Sequence, residues 1–335
     1  MPSSLHRRTR TPPRPMMLRK APAASGSTMI AALALGAPSL SPLARQRAMF
    51  AFLCFVWGTT WLAMKVGIAT VPPGLFAGTR WTVAGLALLG WRRAQGHHMG
   101  VPRRLIPRLL AASVLLVAIN QVIQLYGLRY VPAGLATVIS AALTPISLLG
   151  FGVLAGQERF NARQGAALAL GIGGILVLFG PKALAGTLGW REVAGAGGVI
   201  IGTLSYSAGS IIARPMMRTV PPAEVAAMTN LVGGGMLLIG SLLFEPGSLA
   251  AASGHWGWPA FGAWLYLLLP GSLGATLIYF LLVRDWGASR TGTYAFISPV
   301  IGVVLAMLLF GEHVGIADVM GMGLMLGAAG LVLRR

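Results

Sequence analysis

The chain alternates between long apolar runs and short polar connectors. Beyond residue 47, ten such runs recur at about 48–69, 72–91, 105–128, 131–154, 162–180, 192–212, 221–244, 260–283, 290–310 and 315–333. A helix rises about 1.5 Å per residue, so roughly 20 residues cross a hydrocarbon layer about 30 Å thick. The runs are near that length, continuous and rich in Leu, Ala and Gly. They lack the alternation of apolar and polar positions expected of a membrane strand. The pattern therefore predicts an all-α integral membrane protein with ten transmembrane helices. Composition agrees. Charged residues make up 10% of the 335 and hydrophobic ones 56%, whereas a soluble domain carries about 25% charged residues to cover its outside. An ordinary soluble enzyme is excluded, and the lone cysteine, Cys54, excludes a disulfide scaffold.

Charge placement sets an orientation. The net charge of +19 would suggest nucleic acid in a soluble chain. Here the cations are spread over connectors without a dense stripe, so the expected partners are the lipid bilayer and a small molecule, with no nucleic acid. With the N-terminus inside, 21 of the 26 Lys and Arg fall on the inner side. Three, Arg129, Lys182 and Arg191, fall outside, while Lys65 and Arg80 lie within runs. Cytoplasmic segments hold the Lys and Arg excess, so both termini are expected in the cytoplasm. Residues 1–47 differ from the rest, being basic, Pro- and Ser-rich and free of acids. We read them as an unstructured tail, or as sequence ahead of a true start at Met49, in preference to a signal or transit segment.

The chain also repeats itself. Thr70-Val71-Pro72-Pro73 returns as Thr219-Val220-Pro221-Pro222, an offset of 149 that aligns Lys65 with Arg214 and Trp57 with Tyr206. Pro145 precedes Glu158 by 13 residues, as Pro299 precedes Glu312. Gly165, Gly171 and Gly174 match Gly321, Gly327 and Gly330 at an offset of 156. Two units follow, 48–180 and 190–333. Five crossings is an odd number, so the second unit enters the bilayer from the opposite side. Two inverted five-helix repeats are a mark of secondary transporters, in which the halves exchange roles between inward-open and outward-open states.

These residues carry a family resemblance. Trp57-Gly58-Thr59-Thr60 with Lys65 and Arg80, then Ala133-Gly134 through Pro145 to Glu158-Arg159, then Ala288-Ser289 through Pro299 to Gly311-Glu312, resemble the EamA type of the drug/metabolite transporter (DMT) superfamily. The resemblance spans about 48–333. It departs at Gly156-Gln157-Glu158, where the family usually has Gly and Glu adjacent. It implies a ten-helix inner-membrane carrier without cofactor, commonly an efflux protein for amino acids, metabolites or toxic compounds. A nucleotide-sugar or sugar-phosphate antiporter of related fold is the alternative within transport. A membrane enzyme or a scramblase is the alternative outside it.

Candidate site residues follow from polarity at depth. An ionised residue such as Arg80 costs a few kcal/mol inside a bilayer, so Arg80 is expected to line the pathway and receive a carboxylate or phosphate, or else to cap backbone carbonyls. Lys65, near an outer helix end, fits snorkelling or gating. Pro145 and Pro299 each remove a helix donor at matched depth and are read as helix breaks in the pathway, with Ser140, Thr144 and Ser298 beside them. Trp57, Trp61, Asn120, Gln121, Tyr126, Tyr206, Ser210, Tyr279 and Tyr294 are read as pocket residues, since amides in hydrocarbon need partners. Thr60, Gln124, Asn230 and Thr276 join the same polar set. Glu158 and Glu312 are read as caps or gate contacts. The spacings Gly74/Gly78, Gly198/Gly202 and Gly323/Gly327 are read as close-packing positions. No acid lies in the interior of a run, all seven sitting in connectors or near helix ends, and no His lies in a run, so proton or sodium coupling lacks its usual relays and facilitated exchange is expected. Neither a P-loop nor a metal-ligand or nucleophile–base set is visible.

Overall fold

A computed structural model describes residues 41–97, 100–184, 189–310 and 315–333. Among them there is no strand, and a helix lies on each of the ten apolar runs. We label these α1 (Pro42–Gly67), α2 (Pro73–Ala94), α3 (Arg103–Tyr130), α4 (Ala133–Leu154), α5 (Ala162–Leu184), α6 (Trp190–Ala213), α7 (Pro222–Phe244), α8 (Trp258–Trp286), α9 (Tyr294–Phe310) and α10 (Ile316–Leu333). Six, namely α1, α3, α4, α6, α7 and α8, are long and apolar enough to cross a membrane. The repeated Pro-Pro pair explains two helix starts. Pro73 and Pro222 open α2 and α7, where the fixed φ suits the first turn and the missing N–H is no loss. Ser41 caps α1 by accepting from the Ala44 amide at 3.2 Å.

Two helices contain π-helical interiors, Val114–Ile119 in α3 and Leu267–Ala275 in α8. They occupy corresponding places in the two halves. By contrast, the expected breaks at Pro145 and Pro299 are absent: α4 and α9 run continuously through their prolines. A proline withholds one donor, and the remaining ladder on either side holds such a helix together when neighbours surround it.

Packing is organised by helix pairs. Helices α2 and α7 lie against each other and run antiparallel, so that Gly78 meets Leu238, Gly85 meets Leu231 and Gly234 meets Thr82. A Cβ on Gly85 would fall 2.4 Å from the Leu231 amide nitrogen, and one on Gly234 would fall 2.4 Å from that of Thr82. Small residues let the two backbones approach this closely. Helices α5 and α10 pair in the same sense, through Gly174 against the Gly321 carbonyl. Several of the remaining contacts keep their pattern when each helix is exchanged for the one five places away. The pairs α3–α6 and α4–α6 correspond to α8–α1 and α9–α1. Gly74 and Gly78, and Gly198 and Gly202, do sit at close contacts, but Gly323 and Gly327 face open space. There the contact belongs to Gly321, two residues before Gly323. A core of Ala141, Ile175, Phe296, Val300 and Met325 joins α4, α5, α9 and α10. Leu62, Ile239, Leu243 and Trp258 are more than half exposed, which a lipid environment accounts for.

The α2–α7 pair is tied at both ends. Arg92 and Glu224 form a buried ion pair at 3.1 Å. At the other end the Glu245 carboxylate accepts from the Gly74 and Leu75 amides, each at 3.1 Å, and from the Tyr126 hydroxyl at 2.6 Å. It thereby satisfies the orphan donors of the α2 N-terminus. Removing one partner of a buried pair strands the other charge, so Glu224→Ala is expected to destabilise by about 3–5 kcal/mol. Replacing both partners, as Arg92→Met with Glu224→Leu, is expected to recover most of that loss. Unfolding of the purified variants in mixed micelles checks both.

Candidate functional site

The helices surround a partly open central cavity of about 140 Å³. Helices α1–α4 and α6–α9 line it, and α5 and α10 do not. Of the expected pocket residues, Arg80, Trp57, Trp61, Asn120, Gln121, Ser140, Thr144, Tyr206, Tyr279 and Tyr294 stand in its wall. So do Thr60, Gln124, Asn230 and Thr276.

Arg80 is 4% exposed. Its Nη2 donates to Gln121 Oε1 at 2.7 Å, and its guanidinium carbon lies 4.9 Å from the Trp81 ring centre. Nε has no hydrogen-bond partner. Among the described residues no carboxylate pairs with Arg80. The cavity wall thus holds a desolvated cation whose neighbours are one amide and one aromatic face.

Two amides show the opposite character. Asn120 Nδ2 donates to the Leu116 carbonyl at 3.0 Å, inside the π segment of α3. Asn230 Nδ2 donates to the Ser272 carbonyl at 3.3 Å, inside the π segment of α8. A π segment breaks the regular i→i−4 ladder, and in each half a side-chain amide serves one of the carbonyls there. That commitment fixes which way each amide points. Both Oδ1 atoms are buried without a donor, which is costly unless a bound group or water supplies one.

Aromatic rings close one side. Trp57 lies 4.6 Å from Tyr294, 5.2 Å from Tyr279 and 6.1 Å from Tyr206, measured between ring centres. The Trp57–Tyr206 contact joins the two residues that the repeat aligned. Tyr279 is held by a 2.5 Å hydroxyl contact with Ser210.

Three expected pocket residues lie elsewhere. Tyr126 is taken up by Glu245 and by Arg129 over its ring. Ser210 stands behind Tyr279 rather than in the wall. Ser298 donates to the Cys54 carbonyl at 3.0 Å, fastening α9 to α1 where Gly58 leaves room for the Ser298 backbone. In each case a nearer partner claims the polar atom. Lys65 does not snorkel. It donates to the carbonyls of Leu128 and Val131, at 2.5 and 3.0 Å, and ties the end of α1 to the α3–α4 link. Glu158 accepts from the Ser289 amide at 3.0 Å and lies 3.5 Å from Arg214. Glu312 lies outside the described residues. Sequence reasoning missed Trp81, Thr203 and Thr229. The two threonines gave no signal, because each hydroxyl donates to a carbonyl of its own helix.

An all-helical bundle with lipid-type outer faces and a buried, partly polar cavity defines a multi-pass membrane transport protein. The chain belongs to the EamA-like transporter family, whose model matches residues 47–180 and again 193–334. It is 29% identical over 285 residues to the "Uncharacterized inner membrane transporter YedA" of Escherichia coli (strain K12), covering 85% of this chain and 89% of that one. It is 24% identical to the "Uncharacterized transporter YoaV" of Bacillus subtilis (strain 168), covering 79% and 89%. It is 25% identical to a Salmonella typhimurium protein named "Probable amino-acid metabolite efflux pump", covering 77% and 84%. A protein crystal structure at 20% identity shares the fold, with a TM-score of 0.70 over 86% of this chain and 96% of that one. Family and relatives alike point to transport rather than enzymatic chemistry.

Proposed function

We propose that the protein is a secondary carrier of the inner membrane that exports small zwitterionic or carboxylate metabolites, amino acids among them, by alternating access. Ten crossing helices form two inverted five-helix repeats, with both termini cytoplasmic. The antiparallel pairing of α2 with α7 and of α5 with α10 supports this inversion, since each pair joins corresponding helices of the two halves. The observation that carries the functional reading is the Arg80 guanidinium in the central cavity, which has no carboxylate partner among the described residues and an unbonded Nε. A substrate carboxylate supplies the missing anion, in the bidentate geometry that guanidinium favours. The bare oxygens of Asn120 and Asn230 accept from an ammonium, and the Trp57–Tyr279 wall takes an apolar remainder. The name of the Salmonella relative accords with this substrate class.

A phosphate-bearing substrate fits less well, because Arg80 is the one cation among the described lining residues. An exchange mechanism fits the absence of acid and His from those same lining residues. The test is counterflow in proteoliposomes preloaded with an amino-acid mixture. Saturable exchange is expected, unchanged when a pH gradient is collapsed. Uptake that is linear in concentration would contradict a carrier. Steep dependence on the proton gradient would contradict exchange.

A further inference from the structure

Three helices that wall the cavity, α4, α6 and α8, end on one face, and contacts between them follow in order toward it. Beside the cavity stand Thr144, Tyr206 and Tyr279. Next, hydroxyls join α4 to α6, Ser147 to Ser207 at 2.6 Å, and α6 to α8, Ser210 to Tyr279 at 2.5 Å. At the helix ends the Glu158 carboxylate, of the first half, accepts from the Ser289 amide at 3.0 Å and lies 3.5 Å from Arg214, both of the second half. Arg214 Nη1 donates to the Gln157 carbonyl at 3.3 Å, and Gln157 Nε2 to the Ile211 carbonyl at 2.8 Å. All four of these end contacts cross between the halves. Gly287 makes room for them. Its φ is +88°, and a Cβ there would fall 3.0 Å from Arg214 Nη2 and 3.2 Å from Glu158 Oε1. Lys65, which the repeat aligns with Arg214, behaves differently, since it donates to the Leu128 and Val131 carbonyls of its own half. Two inverted halves differ in this way when the two faces of a carrier are in opposite states.

We propose that Glu158 is the latch that holds this face shut, and that the cavity opens there when Glu158 releases Ser289 and Arg214. The assignment rests on the alternating-access reading and gives it a named switch. One carboxylate engages two segments of the other half at once, so its release frees the end of α6 and the α8–α9 link together. The strength of the pair also suits a contact that breaks in every cycle. The Arg214 and Glu158 side chains are 25% and 11% exposed, against 3% and 8% for Arg92 and Glu224. Water competes for the more exposed pair and weakens it, whereas the buried pair holds α2 to α7 throughout.

The test places a single cysteine at Thr144, in the cavity wall, in a Cys54→Ala background of the full chain. Its reaction with a membrane-impermeant maleimide is followed in right-side-out and in inverted vesicles. Glu158→Ala is expected to speed labelling from the latch face roughly fivefold or more. It should slow labelling from the other face, because the two openings exclude each other in an alternating carrier. Gly287→Ala, whose added methyl group presses on both partners, is expected to shift both rates in the same directions. Glu158→Gln still accepts from the Ser289 amide and should shift them less. Faster labelling from both faces would show a loosened bundle and overturn the latch, as would rates equal to the parent's. Counterflow by the parent tests the carrier reading separately. Its absence would remove that reading, while the labelling still decides whether Glu158 holds this face shut.

Discussion

Arg80→Gln is expected to lower amino-acid counterflow roughly 30- to 1,000-fold, the counterpart of about 2–4 kcal/mol of charge-assisted bonding lost in a desolvated site. Stability is expected to move the other way. In the empty carrier Arg80 is a buried cation with one amide partner and an unbonded Nε. A neutral side chain of similar length removes that burial cost, so the unfolding temperature of the substrate-free variant should hold or rise. This pairing separates the two roles that the sequence left open for Arg80. A residue that caps backbone carbonyls would lose folded protein and transport together. A residue that waits for a substrate anion loses transport alone. Thermal unfolding and counterflow on the same preparation check it. Substrate should raise the unfolding temperature of the parent and leave that of Arg80→Gln unmoved.

The largest structural effect is expected at the α2–α7 crossing. Gly85→Ala and Gly234→Ala each drive a methyl group to 2.4 Å from backbone nitrogen on the facing helix. Backbone cannot rotate away as a side chain can, so the helices must separate. Overpacking of this kind costs about 1–3 kcal/mol and sometimes more, and separation also strains the Arg92–Glu224 pair and the Glu245 cap at the two ends. The double variant should cost less than the sum, because one separation admits both methyl groups. Gly235→Ala is the control on the same helix, since its added carbon meets nothing within 4 Å. It should be neutral or slightly stabilising. Yield of monodisperse protein and unfolding in mixed micelles measure all four. Equal losses at Gly234 and Gly235 would contradict the packing.

Much of this was legible in the sequence, for identifiable reasons. Burial in lipid demands long apolar runs, so the helices announced themselves. The odd number of runs per repeat implied inverted halves, an arrangement we propose and that the antiparallel α2–α7 contact supports. Polar residues at depth are expensive, which is why Arg80, Asn120, Gln121 and Trp57 pointed to the cavity. The failures share a cause. Tyr126, Ser210 and Ser298 are as polar as the true lining residues, and only the neighbouring helix decides whether the hydroxyl meets Glu245, Tyr279 or a carbonyl instead of the cavity. The π segments were invisible because Val114–Ile119 is an ordinary apolar stretch. Their position depends on how α3 and α8 meet the rest of the bundle. Pro145 and Pro299 drew attention for a sound local reason, yet their helices stay whole while the irregularity sits in α3 and α8. The pairing of Gly321 with Gly174, in place of Gly323 and Gly327, is a matter of helix rotation, which spacing alone does not fix.

The account stands on the halves being inverted across the bilayer. In a Cys54→Ala background, single cysteines replace His97, beyond the end of α2, and His255, beyond the end of α7, and a membrane-impermeant maleimide is applied to sealed vesicles of known orientation. The account predicts that position 97 reacts from the cytoplasmic side alone and position 255 from the opposite side alone. Labelling of both from one side would contradict it.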